Sequence, residues 1–168
     1  MNIEKVLREA LRYEVSIRDL YEEAARNTHD EAARHFYLLL GKDEQSHVDY
    51  LEQKLVQWRT EGRISHEGLA TAAPEPGALE KAVGAVAAPL SGRELGGETE
   101  ALARALKAEE ATTEFYRGLV ATLDGTAATL FARFLEIEDG HTRIVRAELD
   151  LATRTGHWFD IRVFDLED

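Results

Sequence analysis

Residues 44–47 read Glu44-Gln45-Ser46-His47, and 94 positions further on the chain reads Glu138-Asp139-Gly140-His141. Alone, Glu-x-x-His says little, because six histidines in so acidic a chain give about this many matches by chance. Position gives the pair its weight. Each tetrapeptide continues an apolar stripe of helical period: Tyr37, Leu40, Leu51, Leu55 and Trp58 around the first, Phe131, Phe134, Val145, Leu149 and Ala152 around the second. A second stripe lies upstream of each, with a glutamate standing in a core position. Ile3, Val6, Ala10, Ile17, Tyr21 and Ala24 frame Glu14; Leu102, Ala105, Thr112, Tyr116, Leu119 and Leu123 frame Glu109. Six chemically active side chains are therefore expected to point inward.

The stripes define helices over 3–28, about 30–60, about 99–122 and about 126–154, none of which contains proline. Breaks fall at Asn27-Thr28-His29-Asp30, with Asp30 a good N-cap, and at Asp124-Gly125-Thr126. Short connections imply two antiparallel helical hairpins. Residues 61–98, rich in Gly, Ala and Pro, are too long for a tight turn and read as a crossover. Within it Leu79 to Ala88 could form a short helix. The aromatic extension 155–168, with Trp158, Phe159 and Phe164, reads as an extended segment packed on the bundle or on a neighbouring subunit. The fold class is all-α: a single domain, a four-helix bundle of two hairpins joined by a long crossover.

The hairpins also read as repeats. Glu14 and Tyr21 match Glu109 and Tyr116 at an offset of 95, and Glu44 and His47 match Glu138 and His141 at 94. The midpoint of 14 and 44 falls at His29, and that of 109 and 138 at Leu123-Asp124, so both turns bring the active residues of a hairpin to one height. At about 1.5 Å per residue, a slip of four would separate them by about 6 Å. Two halves related in this way place the cluster on a pseudo-two-fold axis.

Composition narrows the chemistry. The chain has 168 residues, 44% of them hydrophobic, which suits one soluble domain. Lys+Arg number 20 against 32 Asp+Glu, a net charge of −12 that repels nucleic acid and anionic membranes and attracts small cations. No cysteine is present, which excludes disulfides, thiol nucleophiles and Cys-ligated metal or iron–sulfur sites, and fits a reducing cytoplasm. No apolar run approaches a membrane span, and the opening MNIEKVLREALRYE is too charged for a signal peptide.

Four carboxylates in a helical core would repel one another and suffer desolvation costing several kcal/mol each. Two divalent cations would neutralise them, with the imidazoles as neutral ligands. Each Glu-x-x-His pair can hold one ion, and Glu14 and Glu109 can bridge or terminate. Oxygen and nitrogen donors without sulfur suit iron or manganese, and redox use favours iron. The arrangement is the general pattern of dinuclear carboxylate proteins built in helix bundles.

At these residues the sequence resembles the rubrerythrin branch of the ferritin-like superfamily. The likeness covers the four helices, with Glu14…Tyr21, Glu44-x-x-His47, Glu109…Tyr116 and Glu138-x-x-His141 in family order. It lacks the Cys-ligated rubredoxin domain. The resemblance implies a ferritin-like bundle holding two iron ions, with manganese or a mixed pair as alternatives, in a non-haem centre that reacts with hydrogen peroxide or dioxygen. It further implies an oxidoreductase of oxidative-stress defence, cytoplasmic, at least a homodimer, and supplied with electrons by an external donor such as a rubredoxin-like protein or another reductase. Thr112 stands where peroxidase members carry an additional glutamate, and Glu110 lies about 100° round the helix. Peroxide, dioxygen and ferrous iron thus remain open as substrates. A ferroxidase or iron-handling protein is the second reading, and a metal-stabilised interaction module without catalysis the third.

Tyr21 and Tyr116, seven residues after the two glutamates, share their faces. They are candidates for holding ligand carboxylates or relaying electrons, and equally for plain core aromatics. Glu22, Glu23, Glu110 and Glu114 read as solvated, as do His29, His35, His66 and His157.

Overall fold

The computed structural model describes residues 2–86 and 96–166, and every regular element among them is helical. Helix α1 (Ile3–Asn27) and α2 (Glu31–Glu61) form one hairpin, α4 (Gly97–Thr122) and α5 (Gly125–Thr155) the other, with α3 (Pro76–Ala85) in the crossover. Each of the four long helices lies within about two residues of its sequence-based bounds. Asp30 caps α2 by accepting the N–H groups of Ala32 and Ala33. Gly62 and Gly156 end α2 and α5 with φ of 68° and 70°, a left-handed conformation that costs glycine little.

Within each hairpin the helices pack along their length, and the hairpins meet chiefly through α1 and α4. Helix α3 begins at Pro76 and not at Leu79, because a proline at the first turn presets φ without losing a needed donor. Of the expected span, positions 87 and 88 lie outside the described residues. Leu79 and Val83 bury the inner face of α3, which rests on α5, and Arg143 pairs with Glu80 at 2.7 Å. Gly140 permits the close approach: a Cβ there would sit 3.3 Å from Pro76 Cγ.

The C-terminal segment packs on the bundle, but it corrects the expectation of an extended conformation. It leaves α5 at Gly156 and closes into a short 3-10 helix, Ile161–Leu166. Trp158 and Ile161 are buried, and the Trp158 ring lies 5.4 Å from that of Tyr37 and 5.8 Å from that of Phe36. Local helical turns satisfy the backbone of a segment that has no strand to pair with.

The apolar core is divided in two. One cluster contains Ile17, Tyr21, Phe36, Leu40, Leu102, Ala105, Val145 and Leu151; the other contains Leu7, Ala10, Leu51, Leu55, Tyr116, Leu119, Phe131 and Phe134. Each long helix feeds one cluster before its active residue and the other after it. The polar residues therefore occupy a layer sealed at both ends by close-packed side chains. No helix among the described residues is long and apolar enough to cross a membrane.

Candidate metal centre

All six side chains singled out in the sequence meet in that layer. Glu14, Glu44, His47, Glu109 and Glu138 are fully buried, and His141 is 1% exposed. Helical spacing explains why: Glu44 and His47, like Glu138 and His141, stand three residues apart on one face, opposite a glutamate from the partner helix of the same hairpin.

Two overlapping donor sets result. Glu14, Glu44, His47 and Glu138 each offer a ligand atom within 4.8 Å of the others, and so do Glu44, Glu109, Glu138 and His141. The groups could hold metal ions. Glu44 and Glu138 belong to both sets, whereas Glu14 and His47 belong only to the first and Glu109 and His141 only to the second.

Several donor atoms face one another instead of pairing. Glu44 Oε1, Glu109 Oε2, both Glu138 oxygens and His141 Nδ1 are buried without a hydrogen-bond partner. His141 Nδ1 lies 2.8 Å from Glu44 Oε1, but outside hydrogen-bond orientation. His47 Nδ1 lies 3.2 Å from Glu14 Oε2 and from Glu44 Oε2, and 3.4 Å from Glu138 Oε1. Buried polar atoms left without partners are rare, and orphaned lone pairs converging on common points are what cation ligation requires. The residues fit such a group.

Electrostatics tell the same story. Burial first, and then the charge of Glu138, push Glu14 well above the ordinary carboxylate range. Burial and Glu44 do likewise to Glu109, and raise Glu138 as well. Glu44 moves the other way: burial would raise it, but both imidazoles, His141 foremost, hold it low. The histidines are raised because their carboxylate neighbours outweigh desolvation. In the absence of cations, protons must stand in for them.

The tyrosines cross between hairpins. Tyr21, on α1, donates its hydroxyl to Glu109 Oε1 on α4, and Tyr116, on α4, donates to Glu14 Oε1 on α1. Both are fully buried, and burial together with the adjacent carboxylates raises both phenols, so they remain protonated donors. Gly41 lets Tyr21 sit this deep, since a Cβ there would lie 3.2 Å from Tyr21 Cβ.

Asp43 was not anticipated. It is 2% exposed and lies beside Glu44, its Oδ2 2.9 Å from His141 Nε2. The Thr71 hydroxyl and the Ala72 N–H, both from the crossover, donate to the same carboxylate. The clue in the sequence is its place four residues before His47, on the same helix face. Thr112 directs its hydroxyl to the Ala108 carbonyl at 3.1 Å and adds no charge to the layer. Glu22, Glu23, Glu110 and Glu114 are exposed, Glu110 pairing with Arg146 at 2.8 Å. His29, His66 and His157 are exposed as expected, whereas His35 is half-buried with Nδ1 2.8 Å from the Glu31 carbonyl.

No family model matches the chain, and the comparison with curated proteins gives no match either. Among solved structures the chain is similar to a protein of Pyrococcus furiosus described as hypothetical protein Pfu-1136390-001. The two are 22% identical, with 91% of each chain covered and a TM-score of 0.63. A likeness at that identity concerns the fold.

Proposed function

We propose that the chain is a ferritin-like four-helix bundle of the rubrerythrin kind, with a dinuclear iron centre, and that it acts as an oxidoreductase reducing hydrogen peroxide or dioxygen. The observation that carries this reading is the pair of four-residue donor sets sharing Glu44 and Glu138. Four carboxylates and two neutral imidazoles match the charge of two divalent ions, and an all-oxygen-and-nitrogen donor set suits iron or manganese. Glu14, Glu44, His47, Glu109, Glu138 and His141 would hold the ions, which supply the electrons when bound.

The rest falls to the chain. Glu44 and Glu138 keep the two positions adjacent. Tyr21 and Tyr116 each anchor one oxygen of a terminal carboxylate, so that Glu109 and Glu14 keep their other oxygen directed inward. The phenols also retain a proton at that oxygen. The two apolar clusters exclude water from either end. With no cysteine, residues 1–168 hold no Cys-ligated electron relay, and the reading includes a reductant from outside them.

One observation favours a second reading, ferrous iron as substrate: Thr112, one turn beyond Glu109, is buried without a charge, and the later glutamates of α4, Glu110 and Glu114, are exposed. Loading metal-free protein anaerobically with ferrous iron, then mixing with peroxide or with air, separates the two. Faster oxidation by peroxide, with turnover once reductant is added, supports the first. Steady consumption of excess ferrous iron in air supports the second. Inertness to both oxidants with metal bound leaves an interaction module stabilised by its ions. Less than one metal equivalent per chain in wild type and Glu44→Ala alike removes all three.

A further inference from the structure

Resting on that reading of the centre, we propose that its two metal positions are unequal and that Asp43 makes them so, as a positioning residue for His141 but not for His47. Both imidazoles turn Nδ1 toward the carboxylates: that of His141 lies 2.8 Å from Glu44 Oε1, that of His47 3.2 Å from Glu14 Oε2 and Glu44 Oε2. Nδ1 is then the donor atom in each ring, and the neutral ring carries its proton on Nε2. What differs is the fate of that remote N–H. His141 Nε2 donates to Asp43 Oδ2 at 2.9 Å. His47 Nε2 is buried without a partner, and Asp43 Oδ2 is 4.0 Å away.

Asp43 is committed on its other sides. Its Oδ2 also accepts the Thr71 hydroxyl and its Oδ1 the Ala72 N–H. In the second repeat the corresponding position, 94 residues on, is Ile137, which is apolar and buried. The pseudo-symmetry of the ligands is therefore broken just outside them. His141 is fixed in the tautomer and orientation that present a lone pair to Glu44 and Glu138, while His47 reaches the equivalent state only by stranding a buried donor. An outer carboxylate of this kind is worth roughly 10- to 100-fold in metal affinity. The Glu44–Glu109–Glu138–His141 set fills first and holds its ion. The set completed by Glu14 and His47 fills second and is the exchangeable one. If ferrous iron is the substrate, that second position is where it enters.

Anaerobic titration of the metal-free full-length chain with Co(II), followed by its visible absorption and by calorimetry, tests the assignment. Wild type should bind in two steps whose dissociation constants differ by roughly 10- to 100-fold. Asp43→Ala should weaken the tight step by that factor and leave the second in place. Asp43→Asn keeps an acceptor for His141 and should recover part of the separation. Thr71→Val unties the crossover side chain while keeping the carboxylate, and should preserve both steps. His47→Ala should retain the tight step, and His141→Ala only the weak one. Equal steps in wild type, or a tight step that survives His141→Ala, would overturn the inequality and leave the dinuclear reading standing. So would equal weakening of both steps by Asp43→Ala, or by Thr71→Val to the same degree, since general loosening of the bundle has that signature. Should Asp43→Ala not fold, the two histidine variants decide. Failure of wild type to bind Co(II) at all would bring down the metal centre itself.

Discussion

Glu148→Gln should stabilise the protein at pH 8 and leave it nearly unchanged at pH 5. Glu148 lies on α5, fully buried, with Oε1 accepting the Phe159 N–H at 2.8 Å and Oε2 without a partner. Burial, aided by the negative charge of Asp30, pushes its carboxyl from 4.5 up to about 8, against the pull of the Phe159 bond. The sign follows from proton counting. Between those values the folded state keeps a proton that the unfolded chain has released, so stability falls as pH rises through the interval and levels off above it. At ~1.36 kcal/mol per unit, the wild type should lose about 3–4 kcal/mol from this residue between pH 5 and pH 8.

Glutamine keeps an oxygen for Phe159 and carries no charge at either pH. Urea unfolding of both proteins at a series of pH values, in the presence of chelator, isolates the term. The difference between variant and wild type should climb by about that amount from pH 5 to pH 8. A difference that stays flat would show that Glu148 ionises at its ordinary value, and that the C-terminal segment does not seal it from water.

Two further perturbations probe the centre. Tyr21→Phe and Tyr116→Phe each strip a donor from a buried carboxylate oxygen and should cost about 1–3 kcal/mol apiece in the metal-free protein. Two metal equivalents should still bind; unchanged denaturation midpoints would mean that the phenols are plain packing. Metal binding should release protons and tighten as pH rises, because burial raises Glu14, Glu109 and Glu138, carboxylate neighbours raise His47 and His141, and a ligating group must first lose its proton. A pH-stat during Co(II) addition measures the release, and no release at any pH where the metal binds would contradict the raised groups.

The six clustered residues were legible because each interrupts an apolar stripe at a core position, and because the hairpin midpoints fall on turns that composition marks independently. Only a residue whose inward direction is forced by helical period can be read this way. Glu148 satisfies the same rule, seven residues beyond His141 and in line with Val145 and Ala152, yet it has no counterpart in the first repeat and so does not stand out. Asp43 is harder. It lies at the edge of the α2 stripe, and its burial depends on the crossover folding Thr71 and Ala72 over it, a tertiary contact across 28 residues that no periodicity encodes. The C-terminal turn escaped for a similar reason. Alternating apolar residues suit a strand, but Trp158 and Ile161 find their places on a helical surface that offers no edge to pair with.

A duplicated hairpin makes a symmetric cradle almost unavoidable: equal helices, equal spacings and reciprocal tyrosines place equivalent donors about one axis. Symmetry of that kind would supply two like positions, whereas exchanging one ion while keeping its neighbour needs them to differ. The difference cannot come from the ligands without losing the charge balance that makes four buried carboxylates tolerable. It must come from the layer just outside, where a change alters an imidazole's partner and leaves the donor count alone. On the proposal above it comes from Asp43, which stands where the second repeat has Ile137, and the crossover adds two hydrogen bonds, from Thr71 and Ala72, to the carboxylate that meets His141.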